Sequence, residues 1–193
     1  MLRQTAGERL KNDPAADPDL LLPDLAMLPP SNLLILSNSD TGERQLKFTT
    51  SIQNNGPGVI EIWGHSDETS EKTIVVQHIR QVDGSEKKVV VGEFVFHPDH
   101  DHFHFGNFAR YEVWTMSREG ALETLTGVTD KVSYCLRDDE RADLPVGSAE
   151  QTYLGCNRGV QGISPGWVDV YRYDLFGQTV DVTDLADGYY ALI

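Results

Sequence analysis

From Leu46 onward, apolar and polar residues alternate with a period of two over most of the chain, the pattern of half-buried strands. Leu46, Phe48, Thr50 and Ile52 alternate with Lys47, Thr49 and Ser51. Similar readings predict strands at Val59–Trp63, Thr73–Val82, Lys88–Phe96, Arg110–Met116, Val132–Leu136, Trp167–Tyr173 and Gln178–Val182. Turns separate them: Asn54-Asn55-Gly56-Pro57-Gly58, the hairpin signal Asp83-Gly84, and Ser117-Arg118-Glu119-Gly120. The polar stretch between Arg137 and Pro165 reads as too irregular for a core strand. Residues 1–30, rich in Asp, Pro and Leu, read as a mostly irregular lead-in, of which 1–19 are irregular or disordered, although Met1–Lys11 could form a short helix. Residues 20–193 read as one domain. No long amphipathic helix and no internal repeat is visible. The expected fold is all-β: a single sandwich-like domain with long irregular loops and little helix.

Composition narrows the function. At about 150 residues per domain, 193 residues favour one domain able to bury a core. The chain is 39% hydrophobic and 24% charged, which is globular in character. Its net charge of −14 argues against nucleic-acid binding through phosphate contacts and favours cationic partners, amines and metals included. A saline habitat would leave the same signature. No apolar run is long enough to span a membrane. The N-terminus lacks the apolar core of a signal peptide. Two cysteines, Cys135 and Cys156, are too few for a disulfide scaffold or an all-thiolate zinc site. They form either one bridge or two buried thiols.

The strongest chemical signal is histidine. Four of the six His fall between His97 and His104. In an extended segment His100, His102 and His104 share one face, while Phe103 and Phe105 take the other. The Phe face can anchor in the core as three imidazoles point into one pocket. Neutral imidazoles suit copper, zinc, nickel or iron. Same-face Cβ atoms lie about 6.6 Å apart, so the outer rings must lean inward. His97 is a fourth ligand or a supporting group. His65 and His78 read as ordinary strand histidines. A zincin lacks its His-Glu-x-x-His, and a cupin-like site lacks a nearby acid, since the next after His104 is Glu112. A Ser-His-Asp hydrolase is also set aside.

The run His97, His100, His102 and His104, followed by Phe108–Trp114, resembles the copper-binding region of the lysyl oxidase family. Asp130-Lys131-Val132-Ser133-Tyr134-Cys135-Leu136 resembles the segment with that family's cofactor lysine. Gln161–Tyr171 resembles the segment with its cofactor tyrosine, and Val180–Tyr190 continues the likeness, which covers roughly residues 20–193. The resemblance implies copper held by His100, His102 and His104. It implies lysyl tyrosylquinone built from Lys131 and Tyr171, the catalytic pair. A crosslinked quinone keeps an electrophilic carbonyl to which a primary amine can condense. The implied activity is oxidation of primary amines, or of lysine in a protein substrate, by molecular oxygen, giving an aldehyde, hydrogen peroxide and ammonia. Asp169 shares a strand face with Tyr171 and is a candidate base.

Departures from the family are visible. The resemblance is to a microbial-type member; animal relatives hold more disulfides, and the absent partners imply that Cys135 and Cys156 pair with each other. Asp99 stands where relatives have Cys, and Phe96 where Trp is usual. The chain stops at Ile193 inside an apparent strand, where the family continues; a truncated sheet would have an open edge. The resemblance implies an extracellular or cell-envelope location. The competing readings are a non-catalytic copper- or metal-binding β-domain and a zinc or iron enzyme using the same histidine face.

Overall fold

The computed structural model describes residues 17–66, 73–98, 101–129, 133–144 and 150–193. The reading of Met1–Lys11 lies outside them. Among the described residues there are fourteen strands and no helix, so the all-β expectation holds. They are β1 (Leu25–Met27), β2 (Ser31–Ser37), β3 (Arg44–Asn54), β4 (Ile60–Ser66), β5 (Thr73–Arg80), β6 (Glu86–His97) and β7 (His102–Phe105). Then follow β8 (Glu112–Met116), β9 (Leu122–Val128), β10 (Glu140–Arg141), β11 (Val160–Ile163), β12 (Trp167–Tyr171), β13 (Thr179–Asp181) and β14 (Tyr190–Leu192). The chain divides into two compact units. Of the described residues, the first draws on 17–28, 51–66, 73–98, 101–106, 134–144 and 150–170, the second on 29–50, 107–129, 133 and 171–193.

The first unit is built on an antiparallel sheet in the order β11-β4-β5-β6-β7. The β5–β6 hairpin turns at Asp83-Gly84 as its sequence requires. Gln81 N–H donates to the Ser85 carbonyl at 2.8 Å, and Ser85 N–H donates to the Asp83 carboxylate at 2.8 Å. Ile62, Val75, Phe94, Phe105, Tyr134, Leu136 and Ile163 are buried here. Burying each large apolar side chain stabilises the unit by about 1.5–3 kcal/mol. The β5–β6 register shifts between Val75 and Val76, opposite Gly92. A Cβ added at Gly92 would stand 3.0 Å from the Phe105 ring, so this glycine lets the aromatic ring of β7 lie against the β6 backbone.

Two expectations fail in this unit. The segment read as a strand at Val132–Leu136 is none over its described residues. Tyr134 makes a single bridge to Phe105, Leu136 N–H donates to the Gln161 side chain, and the Leu136 carbonyl accepts from Gly162. Conversely, the stretch read as too irregular for a core strand contains β11, whose Gln161, Gly162 and Ile163 are all buried. Its pattern is hidden because Gln161 is buried with its hydrogen bonds satisfied. Gly162 is also packed so closely that a Cβ would fall 2.5 Å from the Ile60 carbonyl oxygen.

In the second unit, residues 44–49 of β3 run between β2 and β13. A separate three-stranded sheet has the order β14-β8-β9. Phe48 and Tyr111 meet edge to face at 5.2 Å between ring centroids, and Val113, Val180 and Val182 are buried. β2 is exposed along its length, with Leu33, Leu34, Ile35 and Leu36 all open.

Candidate metal centre

The β6–β7 pair gathers the histidines. Register places His97 opposite His102, Phe96 opposite Phe103, Val95 opposite His104 and Phe94 opposite Phe105. The expected alternation holds on β7. Phe103 packs edge to face on Phe96 at 5.2 Å, and Phe105 does so on Phe94 at 6.4 Å. On the histidine face, the Nε2 atoms of His102 and His104 stand 2.8 Å apart. The His97 ring lies 5.0 Å from that of His104, between centroids. His104 is only 1% exposed. His97 thus joins the cluster from the neighbouring strand, a contact for which β6–β7 pairing was the missing signal. His100 lies outside the described residues.

Two imidazoles bound to one ion at about 2.0 Å, and about 90° apart, bring their nitrogens about 2.8 Å from each other. His102 and His104 therefore fit a shared metal. The same separation also suits a neutral Nε2–H···Nε2 hydrogen bond. Among the described residues, no group of three His, Cys, Asp or Glu side chains forms a metal cage.

The free backbone edge of β7 is held by loop segments. Phe103 N–H donates to the Cys156 carbonyl at 3.1 Å, and Phe105 exchanges hydrogen bonds with Tyr134 at 2.7 and 3.0 Å. Gln161 Nε2 donates to the Phe103 carbonyl at 2.9 Å. Cys135 and Cys156 are joined as a disulfide with Cα atoms 5.3 Å apart, the pairing the resemblance implied.

The loop after Leu136 and strand β12 together carry an acidic group. Asp138 accepts from Ser164 N–H at 2.7 Å, Ser164 Oγ at 2.8 Å and Thr152 N–H at 2.9 Å. Asp139 accepts from Val170 N–H at 2.9 Å and pairs with Arg137. Asp169 is fully buried; burial, then the neighbouring Asp139 carboxylate, pushes its carboxyl well above the usual range. Elsewhere in the unit, the buried Tyr153 hydroxyl donates to Glu61, which also accepts from Trp63 Nε1 at 2.9 Å. Burial, then Glu61, raises the Tyr153 phenol strongly. His78 is buried on β5, stacked on Trp63 at 4.8 Å and 3.1 Å from Glu86.

Gly162-Ile163-Ser164-Pro165-Gly166 has the spacing of a hydrolase nucleophile elbow. Ser164 is buried with its hydroxyl spent on Asp138, and strand β12 follows in place of the elbow's helix. The pentapeptide is structural. Of the implied cofactor pair, Lys131 lies outside the described residues. Tyr171 closes β12 and is buried.

Residues 74–193 match the sequence profile of the family described as Lysyl oxidase. Lysyl oxidase homolog 2 of Xenopus laevis is 35% identical over 99 residues, which is 50% of this chain and 12% of that protein. Lysyl oxidase homolog 3 of Homo sapiens is 33% identical over 100 residues, 51% of this chain and 12% of that protein. Lysyl oxidase homolog 2 of Bos taurus is 30% identical over 156 residues, 80% of this chain and 16% of that protein. The chain therefore spans only a small part of the curated relatives it matches. The profile match covers more than half of the chain and includes the paired histidines of β7, so the chain belongs to the lysyl oxidase family.

Proposed function

We propose that this chain is a copper- and quinone-dependent amine oxidase that converts primary amines, peptidyl lysine among them, to aldehydes with release of hydrogen peroxide and ammonia. The observation that carries the reading is the 2.8 Å approach of His102 Nε2 to His104 Nε2 in a member of this family. His100, His102 and His104 hold copper, and Lys131 and Tyr171 are the precursors of lysyl tyrosylquinone. When present, copper and the quinone supply oxidation by molecular oxygen and an electrophilic carbonyl for the amine.

The chain's own residues orient and shield. Phe103 and Phe105 fix the β7 side-chain register from the opposite face. The burial of His104 keeps water from one imidazole. Asp169, with its raised carboxyl, holds a proton at a pH where an exposed carboxylate has lost it. The charge of −14 favours cationic amines near the protein. The disulfide supports an extracellular or cell-envelope setting, where such bridges persist.

The test is turnover. Copper-loaded protein given a primary amine in air is expected to release peroxide and aldehyde in equal amounts, and His104→Ala protein neither. Tight copper binding without turnover would instead support a non-catalytic metal-binding domain.

A further inference from the structure

β7 carries both described histidines of the proposed copper site, yet it is only four residues long and, among the described residues, has a strand on one side alone. A short strand at a sheet edge leaves a row of N–H and C=O groups unpaired. Here the outward groups of Phe103 and Phe105 are all taken. Cys156 accepts from Phe103 N–H, Gln161 Nε2 donates to the Phe103 carbonyl, and Tyr134 serves both groups of Phe105.

These partners are not independent. Tyr134 adjoins Cys135, and the disulfide ties Cys135 to Cys156. Gln161 is fully buried and uses both ends of its amide. Nε2 also donates to the Asn157 carbonyl at 3.1 Å, and Oε1 accepts from Leu136 N–H at 3.2 Å. One side chain thus joins the segment after Cys135, the segment after Cys156 and the β7 backbone between His102 and His104.

We infer that Gln161 is a positioning residue for the copper site. With the Cys135–Cys156 bridge it forms a clamp that takes up the outward backbone groups of β7 and holds His102 and His104 at ligand separation. The inference rests on the proposed copper site. The physical reason is that ligand geometry is set by the groups behind the ligands. A β7 backbone free to shift at Phe103 lets the two imidazoles part, and the ion then organises the site at its own cost.

The experiment uses the whole chain with Gln161→Met, which keeps the length of the side chain but removes its hydrogen bonds. Ile163→Val, on the same strand and equally buried, is the control for lost stability. Two readouts are taken: hydrogen exchange of the 101–105 segment in metal-free protein, and copper(II) affinity by competition with a chelator, with the copper EPR spectrum. In Gln161→Met the segment is expected to exchange faster, and copper affinity to fall by about 10–100-fold with an altered spectrum. The control is expected to keep the wild-type affinity and spectrum. If Gln161→Met fails to fold, Gln161→Asn, which retains the amide on a shorter arm, takes its place with the same expectation. Wild-type exchange, affinity and spectrum in the folded variant overturn the clamp while leaving the copper site intact. Failure of the wild-type protein to bind copper overturns the copper site, and the inference with it.

Discussion

Two residues carry the most direct consequences. His104 is buried, and its Nε2 faces that of His102. His104→Ala removes a proposed ligand, so copper affinity should fall by more than the roughly 10–100-fold that loss of a supporting group costs. Competition titration reads this, and unchanged affinity would exclude His104 from the site. Asp169 makes a different prediction. Its carboxyl is raised by burial first and by Asp139 second, above an ordinary value of 3.8. Below that value the folded and unfolded states are both protonated, and the contribution of the neutral carboxyl is intact. As pH rises towards the folded value, the unfolded chain ionises first and stability is lost. Asp169→Asn cannot ionise, so its stability relative to wild type should grow from about pH 4 upward. Urea denaturation at about pH 4 and about pH 8 measures it, and a difference constant across that range contradicts the assignment.

At the scale of elements, the unit around β7 depends on parts that are not strands. The Cys135–Cys156 bridge closes a 21-residue separation, and by loop-closure entropy it stabilises the fold by about 3 kcal/mol. Replacing both cysteines by Ala should lower the unfolding free energy by about that amount in denaturant titration. A second expectation concerns β11. Gly162→Ala sets a methyl 2.5 Å from the Ile60 carbonyl, and strain at this close approach should cost about 1–3 kcal/mol or more. A variant as stable as wild type would deny that packing. These elements also show what the sequence conveyed. β3, the β5–β6 hairpin and the His/Phe alternation of β7 were legible because one face is apolar and the turns carry their own chemistry. β11 was not, because its buried Gln161 and Gly162 do not look apolar. Tyr134–Leu136 looked like a strand because its residues suit one, while its backbone bonds go to the Gln161 side chain and to single neighbours. The apolar run Leu33–Leu36 inside β2 shows no alternation, so its pairing was equally hidden. The approach of His97 to His104 depends on pairing between strands, which spacing along one strand does not encode.

For the whole molecule, charge and covalent chemistry set the expectations. With a net charge of −14, attraction of a cationic amine should be screened by salt. The KM for a lysine-rich peptide should therefore rise with ionic strength more than that for an uncharged-chain monoamine, as steady-state peroxide assays would show. The fold class and the family were both legible in the sequence, the latter through three motifs in order. The proposed oxidase activity requires that this acidic β-protein build its own cofactor from Lys131 and Tyr171. The most direct test is peptide mass spectrometry after incubation of the folded protein with copper and air. A crosslinked peptide containing both residues, absent from Lys131→Ala and His102→Ala proteins, is the predicted result. Only the two unmodified peptides, in folded and copper-loaded wild-type protein, would contradict it.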